Sequence, residues 1–257
     1  MMFSNILRTK AAEGPGTTRW TVVVCAAALT CALLFAGLLS TPSPAHASGA
    51  MVGLGTAANF SVLGASTVTN TGPTNLGGDL GVSPGTAITG FPPGTLDGTT
   101  HSADVQAGAA HADLQAAYND AAGRTPTETV AGDLVGRTLS AGVYSSASSL
   151  ALSGTLTLDG QGDPEAVFIF QMGSMLTTAS ASHVKLIDGA QSSHVFWQVG
   201  SSATLGTASS IAGTIMALAS ITVTTGVAIE GRALALNGAV TLDSNTITTT
   251  PAFGRQL

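Results

Sequence analysis

The chain has 257 residues and a formal net charge of −6, with only 9% of residues charged, 44% apolar and 32 glycines. Sparse Lys and Arg exclude an electrostatic nucleic-acid binder. Short apolar runs rich in Ala, Val and Leu suit many small strands around one core rather than a charged enzyme surface.

Residues 1–47 read as a secretory signal. Arg8, Lys10 and Arg19 precede an apolar run from Thr21 to Leu39. Pro42, Pro44 and the small-residue site Ala45-His46-Ala47 follow, so cleavage is expected after Ala47. A retained membrane anchor is the alternative, because the apolar run is nearly long enough to span. Both cysteines, Cys25 and Cys31, lie in this segment, so the mature chain has no disulfide despite export. With Glu13, the segment carries a net +2, which leaves −8 of the total −6 on residues 48–257.

Residues 48–98 alternate short strands with turns: Phe60-Ser61-Val62-Leu63, Ser66-Thr67-Val68-Thr69-Asn70, Gly85-Thr86-Ala87-Ile88-Thr89-Gly90, then the Phe91-Pro92-Pro93-Gly94 turn. Gly78-Asp79-Leu80 recurs at Gly132-Asp133-Leu134, which suggests two equivalent corners with structural aspartates. Thr99 to Ala122 (about 100–122) predicts the single helix. Thr100 is placed to cap it, Asp104 lies near its positive end, and Gly123 is placed to stop it. Its stripe of Ala103, Ala107, Ala110, Leu114, Ala117 and Ala121 is small enough to lie close against a flat neighbour. His101 and His111 do not share a helix face and read as solvated.

From Val130 onward the pattern becomes a repeat. Ala203, Ile221 and Val240 align, then Thr204, Thr222 and Thr241, then Leu205, Val223 and Leu242. The threonines recur after 18 residues (204 to 222) and 19 residues (222 to 241). Leu150-Ala151-Leu152 fits the same row. A repeat of this length with strand alternation marks a solenoid. Alternation sends Leu205, Val223 and Leu242 inward and the threonines outward as a ladder with about 4.7–4.9 Å between rungs. Ala166–Phe170 and Val195–Val199 are nearly continuous apolar runs, as expected of strands covered on both sides, with the helix as the second cover.

Catalytic constellations are missing from the sequence. There is no G-x-S-x-G elbow, no H-E-x-x-H, no phosphate loop and no cysteine nucleophile in the mature chain. Asp159, Asp163 and Glu165 lie in DGQGDPEA, whose density of turn residues reads as a solvated loop. An exported polysaccharide lyase or hydrolase would use such a cluster with a basic groove. Only Arg124, Arg137, Lys185, Arg232 and Arg255 remain after cleavage. The expectation is a protein that is not an enzyme and has no cofactor and no metal.

Several stretches together resemble the microbial ice-binding (antifreeze) proteins. They are LGTAANFSVLGASTVTNTGPTNLGGDLGVSPGTAITGFPPGT, the HSADVQAGAAHADLQAAYNDAAGRT helix, VAGDL, LTLDGQGDPEAVFIFQMGSMLTTAS, SHVFWQVGSSATLGT and RALALNGAVTLDSNTI. The resemblance covers residues 50–250. It implies an all-β, discontinuous right-handed β-solenoid of triangular cross-section over residues 48–257, with one long helix alongside. It also implies that the N-terminal part closes the stack. The implied role is a secreted, extracellular protein, monomeric, with ice as its partner and no nucleic acid. No membrane attachment is expected after signal cleavage. An extracellular adhesion or matrix module binding carbohydrate or another surface is the alternative.

The resemblance also implies loose T-A/G-x-T/N motifs on the ice-binding face. On that basis Thr71, Thr86, Thr178, Thr207 and Thr225 are expected on one outward face, with Thr74, Thr89, Ser180 and Ser210 contributing. Positions one and four of such a motif point to opposite sides of a regular strand, so a bend must intervene. Thr204, Thr222 and Thr241 form the fallback ladder, on the same or a neighbouring side.

Overall fold

The computed structural model describes residues 49–249. The expected signal segment, 1–47, lies outside the described residues. Every strand pair among the described residues is parallel, and the pairs stack into three columns, as a solenoid requires.

The first column is the helix face. It runs from Thr100–Ser102 through Asp79–Val82 and Phe60–Gly64, and continues through the second halves of Ala228–Ala235 and Ser210–Ala217. Val195–Val199, Phe168–Met172, Gly142–Ser146 and Glu128–Thr129 complete it. The second is the threonine face. Its order is Ala87–Thr89, Thr67–Thr71, Val240–Asp243, Ile221–Val223, Ala203–Leu205, Leu176–Thr178, Leu150–Leu152 and Gly132–Asp133. The third column includes Asn75–Leu76, Thr246–Thr248, the first halves of Ala228–Ala235 and Ser210–Ala217, His183–Ile187, Thr155–Asp159 and Thr138–Ser140. Thr67–Thr71 pairs with Val240–Asp243, so the N-terminal strands close the stack beyond the last rungs of the chain. Coil order and chain order therefore differ, as expected.

Ser210–Ala217 and Ala228–Ala235 each cross from the third face to the helix face without a break. They bend at Gly213 and Gly231, paired with each other and at φ of 112° and 153°. A Cβ on Gly231 would sit 1.9 Å from the Gly213 carbonyl oxygen, so only glycine fits there.

The inward side chains form one core. Leu205, Val223 and Leu242 are in direct register and 0%, 1% and 0% exposed. Tyr144, Phe170 and Trp197 occupy successive rungs behind the helix face, with ring centroids 5.4 and 4.2 Å apart. The Trp197 indole N–H donates to the Ala212 carbonyl at 3.0 Å, so its one polar atom is satisfied.

The helix spans Val105–Gly123, starting later than the sequence suggests. Asp104, not Thr100, caps it, accepting from the Ala107 N–H at 2.8 Å; Thr100 belongs to the strand Thr100–Ser102. Asp104 wins because Ala103 turns at φ 49°, which ends the strand immediately before it. Ala110, Leu114, Ala117, Tyr118 and Ala121 pack on Phe60, Leu63, Ile169, Phe196, Met216 and Leu234. The outward side of the helix face is therefore buried too, with Ile169 and Phe196 beside the hydrogen-bonded Gln171 and Gln198, which explains the nearly continuous apolar runs. Gln171 donates to the Ala121 and Arg124 carbonyls, both at 2.8 Å, and so satisfies the helix C-terminus.

Three local expectations need correction. Asp79 and Asp133 do not mark equivalent corners, since Asp79 lies on the helix face and Asp133 on the threonine face. Both are structural: Asp79 accepts from the Thr99 N–H at 2.8 Å, and Asp133 from those of Val135 and Ser153, both at 3.0 Å. His101 is not solvated. Its side chain is 14% exposed, with Nδ1 2.8 Å from Asp104 Oδ2. The ring nitrogens of His111 are also buried and lack hydrogen-bond partners, and burial pushes its pKa below the usual 6.5. Helical spacing shows which residues share a helix face. It does not show that the solenoid rises on either side of that helix.

Candidate functional site

The threonine face carries one continuous ladder. Thr89 is in register with Thr69, Thr69 with Thr241, Thr241 with Thr222, Thr222 with Thr204, and Thr204 with Thr177. Ala151 and then Asp133 continue the column without hydroxyls. The inward neighbours Val68, Val240, Ile221, Ala203 and Leu176 are all buried, which pins the alternation. Six threonines at strand spacing make a row about 24 Å long. The next outward positions along the strands are small or polar, with Thr67 beside Ala87 and Thr71 beside Asp243.

The third face has the same strand spacing but different chemistry. His183, Lys185 and Glu230 project from it and are exposed, and Asp159 is half-buried there. Its outward columns therefore mix both signs of charge with Thr155, Ser210 and Thr246.

Between these two faces runs a corner. Gly72, Ala181, Ala208 and Gly226 turn it at φ of 78°, 56°, 56° and 71°. Each follows a hydroxyl residue, namely Thr71, Ser180, Thr207 or Thr225, and all four of these are exposed along the edge. Thr225 donates to Asp243 Oδ2 at 2.5 Å, and the Thr207 and Thr224 hydroxyls lie 3.3 Å apart.

A sequence model described as Ice-binding-like matches residues 62–248. This chain belongs to the ice-binding-like family. An ice-binding protein of Nostoc sp. is 55% identical over 196 residues, covering 76% of this chain and 72% of that protein. The crystal structure of an ice binding protein from an Antarctic biological consortium superposes with a TM-score of 0.77 at 52% identity, covering 78% of this chain and 91% of that one. An ice-binding protein from the Antarctic ascomycete Antarctomyces psychrotrophicus gives 0.77 at 42% identity, covering 79% of this chain and 100% of its own.

In this member of the ice-binding-like family, the motif residues do not share one face. For Thr71, Thr207 and Thr225 the motif's first position sits on the edge and its fourth lies past the bend, so Thr207 is on the corner while Ser210 is on the third face. Thr74 is fully buried. Its hydroxyl donates to Asn70 Oδ1 at 2.5 Å and accepts from the Asn245 N–H at 3.0 Å. Thr178 is 5% exposed and accepts from the Gly206 N–H at 2.9 Å; it points inward because Thr177 takes the outward position. Thr86 lies at the opposite edge of the threonine face, where its carbonyl accepts from Ser102 Oγ of the helix face at 2.8 Å. Thr89 joins the central ladder, along with the fallback residues Thr204, Thr222 and Thr241.

Thr69 and Thr177 are ladder residues that the sequence reading missed. The Leu176-Thr177-Thr178 row breaks the apolar–Thr–apolar pattern because its inward third residue is polar. In Val68-Thr69-Asn70 the same position is Asn70, buried and donating to the Gly72 and Gly90 carbonyls at 2.9 and 2.8 Å. Thr177 also lies 27 residues before Thr204, off the 18–19-residue spacing. A search for apolar–Thr pairs at unequal spacings would have found both.

Proposed function

We propose that this chain is a secreted ice-binding protein that adsorbs to ice through its threonine face, slowing crystal growth and recrystallisation. The observation that carries this reading is the in-register row of six threonines on an open parallel sheet. Each hydroxyl can hydrogen-bond water while its methyl group cannot, so first-shell water is held in place without being bound tightly. Rungs repeat about every 4.7–4.9 Å and outward residues along a strand about every 6.6–6.8 Å, so the face offers a two-dimensional grid. A face held by the backbone ladder loses little entropy on adsorption, and weak contacts add up over many rungs. No reaction and no cofactor enter this role. Export is supported by the charged, apolar and Ala-x-Ala sequence of residues 1–47. An adhesion module for a small sugar would call for a concave site with convergent polar groups; an open row of hydroxyls fits an extended crystal plane better.

The test compares two pairs of substitutions in ice recrystallisation and thermal hysteresis assays. Thr222→Tyr with Thr241→Tyr raises two bulges in the middle of the ladder and should abolish activity while the fold survives. Thr207→Tyr with Ser210→Tyr alters the corner and the third face, and should leave most of the activity. Loss from the second pair alone would move the site to the corner. An inactive parent protein would overturn ice binding altogether.

A further inference from the structure

Of the outward positions in the seven strands from Leu150–Leu152 to Ala87–Thr89, one carries a charge, and it is Asp243. It lies two residues along the strand from the ladder residue Thr241, or about 6.6–6.8 Å, and pairs in register with Thr71. Its side chain is half-buried and faces two hydroxyls. Oδ2 accepts from Thr225 Oγ1 at 2.5 Å, and Oδ1 accepts from Ser244 Oγ at 3.0 Å. The carboxylate therefore takes the donor hydrogens of two groups on the edge of the face. Thr225 is left to offer water lone pairs only.

A carboxylate also keeps its own hydration shell. It accepts from every water around it, whereas water in ice alternates donors and acceptors. Removing that shell at a crystal surface carries the cost of any desolvated charge. We propose that Asp243 limits the ice affinity of this face by confining ordered water to the threonine ladder and keeping it from spreading to the Thr71–Thr225–Thr207 corner. This rests on the ice-binding reading above. It adds a residue that determines how wide the adsorbing surface is.

Asp243→Asn removes the charge in nearly the same shape and keeps an acceptor for one hydroxyl. Asp243→Thr completes the column beside Thr71. Both should raise thermal hysteresis at fixed protein concentration by about two-fold or more, as expected when a charge no longer has to be desolvated. Asp159→Asn, on the third face, is the control for a general change in net charge and should change nothing. In a Thr222→Tyr/Thr241→Tyr background the gain should vanish. Unchanged or lower hysteresis in folded Asp243→Asn would overturn the proposal. So would an equal gain from Asp159→Asn, or a gain that survives the blocked ladder. If Asp243→Thr fails to fold, Asp243→Asn alone decides. Hysteresis in the parent without a gain in the variants defeats this inference only. An inactive parent defeats the ice-binding reading and this inference with it.

Discussion

Phe196 and Thr204 lie eight residues apart on one turn of the solenoid, and both project outward from it. Phe196 is 1% exposed beneath the helix, while Thr204 faces solvent. The strands behind them are built alike, parallel and with an apolar inner side. The cover makes the difference. Where Ala110, Leu114 and Ala117 of the helix close over the rungs, the outward column becomes a second core. Where no described residue covers them, the outward column stays exposed, as Thr204 does. An outward position on a solenoid is thus structural or functional according to what packs on it.

Substitutions on the inner, covered and open sides of these strands should differ in cost. Val223→Asp places a charge in the inward column behind the threonine face and should cost several kcal/mol, enough to prevent cooperative folding. A soluble variant with a cooperative thermal transition would mean that the strand faces the other way. Next, Phe196→Ala should destabilise by about 3–5 kcal/mol, because the helix cannot fully collapse into the space. Thr204→Ala, outward on the same turn, should stay within about 0.5 kcal/mol. Urea unfolding of the two variants measures both, and equal losses would remove the helix as the distinguishing cover.

The smallest effect is a pH slope on the helix side. His111 abuts a space of about 340 Å³ lined by Ala65, Ser66, Pro84, Gly85, Leu236 and Asn237, none of them acidic. Burial favours its neutral form, so its folded pKa lies below the usual 6.5. As pH falls below that value, the unfolded chain binds the proton first, and stability declines until the folded-state pKa is reached. The urea midpoint should therefore fall as the pH drops below about 6.5, and His111→Gln should flatten that share of the slope. An unchanged slope in the variant would place the acid sensitivity elsewhere.

Much of the threonine ladder was legible in Thr204, Thr222 and Thr241, because their inward neighbours are apolar and their spacing is nearly constant. Thr69 and Thr177 were hidden by Asn70 and Thr178, polar residues that serve inward as hydrogen-bond partners of the backbone at the corner. The motif reading of Thr71, Thr178, Thr207 and Thr225 failed as a single face for a related reason. A four-residue motif says nothing about the left-handed turn inside it, and Ala181 and Ala208 make that turn without the glycine that would have signalled it.

Periodicity along the chain was enough to specify the solenoid, its inward leucines and valines, the helix alongside and the repeating threonines. Each of these is a local periodicity, and the backbone turns periodicity into direction at two or 3.6 residues per cycle. Tertiary structure alone decided that Thr67–Thr71 and Ala87–Thr89 stack after Val240–Asp243. That placement extends the four-residue row from Thr177 to Thr241 to six, by joining segments about 170 residues apart in the chain. It also decided that the solenoid closes in the flanks of the helix at His101 and His111. Neither fact is periodic. Both depend on which surfaces remain apolar once the rungs have stacked, and that is settled only when distant parts of the chain bury them against each other.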